Sequence, residues 1–171
     1  RASYNPARGS CGVVRAGPSV GVFFTPPATR FITPLTLQSL SGHAALTSMW
    51  EHDDRPDSQH VGLARWCDLM VVAPCSADML GKLAAGLTPD LVSLTVCALP
   101  AETPLLVAPA MNADMWTSPI VQRNYQTLQE LLPNFRGVGP GEGWQACRTS
   151  GSGRMSEPEA ILEQVAALLS A

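Results

Sequence analysis

The sequence is poor in charge and in aromatic side chains. Charged residues make up 15% and aromatic residues 6% of the 171 residues, and 11 basic against 14 acidic side chains give a net charge of −3. A chain without a basic excess is a poor match for a phosphate backbone, so nucleic acid is not expected as a partner. Hydrophobic residues reach 46%, which supplies a core and excludes a disordered chain. The length predicts a single domain over residues 1–171.

Long apolar runs and a secretion signal are also lacking. No apolar stretch approaches the roughly 20 residues of a membrane helix, and residues 1–6 lack the apolar region of a secretory signal. The five cysteines are Cys11, Cys67, Cys75, Cys97 and Cys147. Their spacing contains no Cys-x-x-Cys pair, so reduced thiols and no metal site are expected. These absences predict a cytoplasmic protein without a membrane partner.

Apolar runs and helical patterns alternate along the chain. Strands are predicted at Ser19–Thr25, Asp68–Pro74 and Pro104–Pro109, the second of them buried on both faces. Helices are predicted between Thr33 and Gly42, between Ser76 and Gly86, over Ile120–Leu132, and over Glu157–Leu169 with Ser156 as N-cap and Glu159 completing a capping box. The segment Asp90–Leu99 fits a strand or a helix, and a helix is preferred. The alternation predicts a doubly wound, Rossmann-like α/β fold, with helices on both faces of a parallel sheet.

Two predicted strands end in the same pair of residues, Ala73-Pro74 and Ala108-Pro109. Ligands of doubly wound sheets bind outside the carboxyl ends of the strands, so the polar residues after each pair are candidate site residues. A polar stretch over 51–59 predicts a surface loop that ends beside His60. Six glycines within 137–153 predict a loop that lies close against a ligand.

Three sequence blocks carry a resemblance. They are His60–Leu69, Ala73–Lys82 and Pro109–Trp116, and the third, Pro-Ala-Met-Asn-Ala-Asp-Met-Trp, is the most specific. Together they resemble the homo-oligomeric flavin-containing cysteine decarboxylases, over about Ser19 to Glu163. That family includes the phosphopantothenoylcysteine decarboxylase of coenzyme A synthesis and enzymes that decarboxylate the C-terminal cysteine of ribosomal peptides.

The resemblance implies FMN as the cofactor. The positions that match cofactor-binding positions are Ser3, Thr25, Phe31, Ser76, Ala77, Asp78 and Ala108. Asp78 stands where many relatives have asparagine and others aspartate. Relatives open with a strand and a Gly-Ser-rich loop that cradles the phosphate. Residues 1–6 show neither clearly, and Ser3 is the residue there that could serve.

The resemblance also implies catalytic roles. On the residues alone, His60 is typical of a surface histidine, and Asn112 is typical of a turn. The family match implies that His60 takes part in dehydrogenation of the substrate thiol and that Asn112 binds the substrate carboxylate. It implies that Cys147 protonates the ene-thiol product, and that Met111 and Met115 shape the pocket wall. Trp116 is expected in the core.

These residues fit one reaction class, the oxidative decarboxylation of a terminal cysteine, with two candidate substrates. The C-terminal cysteine of a peptide is narrowly preferred, because Arg148-Thr149 replace a common Gly-Asp and the chain ends directly after its last helix. The alternative is phosphopantothenoylcysteine, which Cys147 favours. A flavin prenyltransferase and a regulatory flavoprotein without turnover rank lower. The resemblance implies assembly of identical subunits as a trimer or dodecamer.

Overall fold

The structure is a computed structural model that describes residues 19–50, 59–144, 148 and 150–170. Its central sheet has three parallel strands in the order β3-β4-β5. The strands are β1 (Val22–Phe23), β2 (Ala45–Leu46), β3 (Met70–Cys75), β4 (Leu105–Pro109), β5 (Phe135–Gly137), β6 (Gly141–Trp144) and β7 (Ser150–Arg154). Strands β1 and β2 pair in parallel, and β6 and β7 form an antiparallel hairpin.

Seven α-helices lie within the described ranges, and a 3₁₀ turn covers Pro26–Arg30. The helices are α1 (Pro34–Ser41), α2 (Gln59–Trp66), α3 (Ala77–Ala84), α4 (Leu91–Cys97), α5 (Ala113–Thr117), α6 (Pro119–Leu131) and α7 (Pro158–Leu169). In this part of the chain no helix is both long enough and apolar enough to cross a membrane.

The central sheet is covered on both faces, which confirms the doubly wound fold. On one face Met70, Val72 and Val107 pack in a core that includes residues of α3 and α6. On the other face Leu106 and Ala108 pack in a second core that includes residues of α7. All five residues of β4 are buried, as a central parallel strand requires.

The predicted burial of the preceding strand on both faces is wrong in part. Strand β3 has buried Met70, Val72 and Cys75, but Val71 between them is 39% exposed. Strand β3 pairs with β4 on one side and stands at the edge of the described sheet. An edge position leaves part of a strand uncovered, whatever the apolar content of its sequence.

Local capping signals bound three of the helices that the sequence predicts. Ser76 caps α3, where its Oγ accepts the N–H of Met79 at 3.3 Å. The helix preferred for 90–99 is confirmed, because Asp90 and Ser93 form a capping box with bonds of 3.0 and 3.4 Å. Gly42 ends α1 in the left-handed conformation, with φ of 74°.

Several local predictions are corrected. The first strand shortens to Val22–Phe23, and the polar turn after Pro109 contains the one-turn helix α5. Helix α7 starts at Pro158, so Glu157 and not Ser156 is its N-cap, since proline is tolerated in the first turn. Most of the predicted loop at 51–59 lies outside the described residues, and Gln59 already belongs to α2.

The glycine-rich stretch is a more ordered structure than the predicted loop. Residues 135–137 form β5, and the β6–β7 hairpin covers 141–144 and 150–154. Backbone pairing holds this hairpin, with Gly143 opposite Gly151. Its strands carry few apolar side chains, so the alternating pattern that identifies a strand is missing from the sequence.

Candidate active site

The carboxyl ends of β3 and β4 meet the hairpin at one edge of the sheet. Just beyond β4, the N–H of Ala110 donates to the carbonyl oxygen of Cys75 at 2.9 Å. One residue later, the N–H of Met111 donates to the carbonyl oxygen of Gly153 in β7 at 2.8 Å. Two consecutive backbone bonds therefore fix the chain that leads into Asn112. This edge is where a ligand of a doubly wound sheet is expected.

The β3 side of the edge presents the N-terminus of α3. Ser76 is exposed and caps the helix, Ala77 is half-buried, and Asp78 is exposed. The carboxylate of Asp78 accepts from Nζ of Lys82 at 2.7 Å. Lys82 also reaches Asp90 at 3.4 Å, and the hydrogen bond to Asp78 is the main cause that raises the pKa of Lys82. The lysine thus links the start of α3 to the cap of α4.

Directly below this turn lies a buried thiol. Cys75 has no exposed surface, and burial raises the pKa of its thiol to about 12. At neutral pH the group is therefore an uncharged thiol rather than a thiolate nucleophile. The residue contributes packing and its carbonyl oxygen to the site, and no reactive sulfur.

The β4 side of the edge presents Asn112. Its Oδ1 accepts the N–H of Asp114 at 2.8 Å, which makes the asparagine the N-cap of α5. Its carbonyl oxygen accepts the N–H of Trp116 at 2.9 Å, so the first turn of α5 is closed around it. Met115 on this turn is 47% exposed, whereas Met111 is half-buried and packs against the first core.

The remaining predicted cofactor residues differ in exposure. Thr25 is half-buried at the N-cap of the 3₁₀ turn, and Phe31 immediately after that turn is 75% exposed. Ala108 has no exposed surface within the chain and packs in the second core. The structure does not place the Ala108 methyl group at the strand-end surface, so its cofactor role stays a prediction.

The structure brings Ser76, Ala77, Asp78, Met111 and Asn112 to one edge through the Cys75–Ala110 and Met111–Gly153 bonds. His60 lies half-buried in the first turn of α2. The bonds that define the edge do not include His60, Thr25 or Phe31, and their place in a shared site stays a prediction. Ser3 and Cys147 lie outside the described residues.

Sequence reasoning missed two contributors to this edge. The carbonyl oxygens of Cys75 and Gly153 hold the turn before Asn112. A carbonyl oxygen is present in every residue, so no sequence signal distinguishes these two. The signal that was available is the position of Cys75, directly after the Ala73-Pro74 strand end.

Comparisons with known proteins show what this chain is similar to. The family model described as "Flavoprotein" matches residues 13–170. "Coenzyme A biosynthesis bifunctional protein CoaBC" of Haemophilus influenzae is 43% identical over 147 residues, which are 86% of this chain and 36% of that protein. "Probable phosphopantothenoylcysteine decarboxylase" of Streptococcus mutans is 35% identical over 164 residues, which are 96% of this chain and 90% of that protein. The chain thus spans about a third of the length of the CoaBC relatives it matches.

Two solved structures show similar folds. A PPC decarboxylase mutant complexed with pantothenoylaminoethenethiol superposes with a TM-score of 0.86 at 28% identity, covering 99% of this chain and 93% of its own. SpaF, described as an FMN-dependent cysteine decarboxylase, superposes with a TM-score of 0.78 at 27% identity, covering 96% and 91%. The likeness extends over nearly the whole of each chain.

Proposed function

The chain belongs to the flavoprotein family, and from this premise we propose that it is an FMN-dependent decarboxylase of phosphopantothenoylcysteine. The observation that carries the proposal is the edge where the Ser76-capped helix and the Asn112 turn meet at two strand ends. In a doubly wound sheet this is the ligand-binding edge. The chain is also similar over most of its length to a relative named for this activity.

The comparisons favour phosphopantothenoylcysteine over the cysteine-ending peptide that the sequence narrowly preferred. Curated relatives at 35–43% identity carry names from coenzyme A biosynthesis or of the phosphopantothenoylcysteine decarboxylase itself. The peptide preference rested partly on the shortness of the chain. The Streptococcus mutans relative is covered over 90% of its length and is named for the phosphopantothenoylcysteine reaction, so length gives no argument for the peptide. Cysteine-ending peptides are therefore the second substrate class in the test described below.

The residues present fit a flavin. A flavin combines a flat apolar ring system with a polar edge and a hydroxylated chain. The exposed ring of Phe31 offers an aromatic surface, and the hydroxyl groups of Thr25 and Ser76 and the exposed carboxylate of Asp78 offer hydrogen-bonding partners. Ser3, the predicted phosphate contact, lies outside the described residues. When bound, FMN would supply the oxidation that makes loss of CO₂ from the cysteine carbon possible.

Asn112 is proposed to hold the substrate carboxylate. The Oδ1 atom of an amide accepts hydrogen bonds, as it does here from Asp114, whereas the Nδ2 group donates them, so Nδ2 is the end of the amide that suits an anion. A neutral donor orients a carboxylate without the strong ion pair that would oppose its loss as CO₂. The proposed role of the half-exposed Met115 on the same turn is to form the pocket wall together with Met111.

His60 is proposed to accept the thiol proton during oxidation, since imidazole is the side chain best suited to proton transfer near neutral pH. Cys147 is proposed to return a proton to the ene-thiol. Cys75 takes no part in either step, because burial keeps its thiol protonated. We further propose that identical subunits assemble as a trimer or dodecamer, which light scattering on the purified protein would measure.

The test is anaerobic incubation of the FMN-loaded protein with phosphopantothenoylcysteine and, separately, with cysteine-ending peptides, followed by mass spectrometry. Loss of about 44 Da indicates decarboxylation with return of the electrons, and about 46 Da indicates release of the ene-thiol. Asn112→Ala should abolish both losses, whereas Gln126→Ala, which removes an exposed amide from α6, should retain activity. A protein that binds no FMN, or an Asn112→Ala variant as active as the parent, would contradict the proposal.

A further inference from the structure

Three aromatic rings connect the turn that carries Asn112 to the central sheet. The ring of Trp116 in α5 meets that of Tyr125 in α6 edge to face, with centroids 5.3 Å apart and planes at 77°. The ring of Tyr125 meets that of Phe135 in the same way, at 5.4 Å and 81°. Phe135 begins β5 and pairs with Leu105 of β4. We call these three residues the aromatic ladder.

The ladder acts on Asn112 through the backbone. The N–H of Trp116 donates to the carbonyl oxygen of Asn112 at 2.9 Å, and Nε2 of Gln122 donates to the carbonyl oxygen of Trp116 at 2.6 Å. Helix α5 has only five residues, and a helix of one turn does not hold its own shape in water. Its geometry, including the direction of the Asn112 amide, must therefore come from the residues that it packs against.

Gly137 provides the space in which Tyr125 sits. A Cβ at position 137 would lie 1.7 Å from the Tyr125 hydroxyl oxygen and 2.9 Å from the adjoining ring carbon Cζ. The other glycines whose Cβ would approach a side chain leave longer distances, of 2.3 Å or more within the described residues. Tyr125, the middle ring of the ladder, can therefore occupy its place because residue 137 has no side chain. This assigns a packing role to a glycine that the sequence placed in a ligand-facing loop.

We infer that Trp116, Tyr125 and Gly137 are positioning residues that set the Asn112 amide against the substrate carboxylate. The inference rests on the proposed function, in which Asn112 binds that carboxylate. Trp116 and Tyr125 themselves pack against the first core, so a purely structural role is the competing explanation. The two explanations differ in one respect. A change in the direction of the Asn112 amide weakens the binding only of ligands that carry the carboxylate, whereas general loosening of the core weakens the binding of every ligand of the site.

The test compares two ligands in one decarboxylation assay with FMN-loaded protein. Phosphopantothenoylcysteine carries the carboxyl group, and phosphopantetheine, its counterpart without that group, serves as a competitive inhibitor. Tyr125→Leu should raise KM for phosphopantothenoylcysteine at least about fivefold, because small displacements of a positioned group are costly, while Ki for phosphopantetheine stays within about twofold. Tyr125→Phe keeps the ring and should retain the parent KM.

A second variant disturbs Tyr125 from the side of the sheet. Gly137→Ala should displace Tyr125 and raise KM without changing Ki. Combining it with Tyr125→Phe removes the hydroxyl oxygen that would lie nearest the new Cβ and leaves the ring carbon at 2.9 Å, so KM should recover in part. Val121→Ala, on the same helix in the same core, is the matched control. It should lower the melting temperature and change neither constant.

The outcomes separate the two proposals. If the parent protein releases CO₂ from neither substrate class, the proposed function fails and the positioning inference fails with it. If the parent is active but Tyr125→Leu and Gly137→Ala change neither constant, or raise KM and Ki equally, only the positioning inference is overturned. The visible absorbance of bound FMN, unchanged in the variants, shows that the cofactor site has survived substitution.

Discussion

A rise in pH above 9 should destabilise the fold through one buried thiol at the candidate site. Burial raises the pKa of Cys75 from 9.0 to about 12. Between these values the unfolded chain has released the proton and the folded chain still holds it. The contribution of this group to stability is therefore complete below pH 9 and is lost as pH rises toward 12, at about 1.4 kcal/mol per pH unit. From pH 8 to pH 10 the expected loss is about 1.4 kcal/mol.

Urea unfolding followed by tryptophan fluorescence at pH 8, 9 and 10 would measure this loss against a Cys75→Ala variant. Apart from Tyr125, whose pKa is raised by burial and by the charge of Cys75, the other titrating side chains are shared by both proteins, so their effects cancel in the difference. The variant should be less stable at pH 8, because it loses a packed sulfur atom. The gap should narrow by about 1.4 kcal/mol at pH 10. Cys97→Ala, which removes an exposed thiol, should show no such change. Parallel pH curves for Cys75→Ala and the parent would refute the reasoning.

Three further outcomes follow from the described contacts. Asp90→Ala should lower the free energy of unfolding in urea by about 1–2 kcal/mol, because it removes a buried helix cap. Gly42→Ala should lower the free energy of unfolding by about 1–2 kcal/mol, because residue 42 has a φ of +74°. Gly62→Ala should raise it by about 0.5–1 kcal/mol, because residue 62 lies inside α2 with open space around it. Iodoacetamide should label the exposed Cys97 in the native protein and label the buried Cys75 only after unfolding, as peptide mass mapping would show.

The elements that the sequence predicted well are those with local chemical signals. Ser76 and Gly86 bound a helix because a hydroxyl cap and a glycine act within one turn. The uncertain segment 90–99 also carried such a signal, since Asp90 and Ser93 are spaced as a capping pair. The β6–β7 hairpin carried none. Its strands are rich in glycine and held by backbone pairing, so neither alternation nor propensity marks them.

The candidate site also combines a feature with a local sequence signal and contacts that have none. The residue type of Asn112 alone predicted a turn, and the asparagine does cap a short helix there. The contacts that fix this turn join residues far apart in sequence. Cys75 bonds to Ala110, and Met111 bonds to Gly153. Both bonds use backbone atoms, which every residue possesses, so only the fold determines which carbonyl oxygens lie in reach.

Three long-range connections thus set the position of one amide. They are the Cys75–Ala110 bond, the Met111–Gly153 bond and the aromatic ladder that ends on Phe135. Helix α5 supplies the chemical groups, but its single turn cannot supply their orientation. A chain that kept the Asn112 motif and carried any side chain at position 137 would lose the space for the Tyr125 hydroxyl. Such a chain would display the motif and still hold a carboxylate poorly, because the orientation of the amide depends on packing that the motif does not contain.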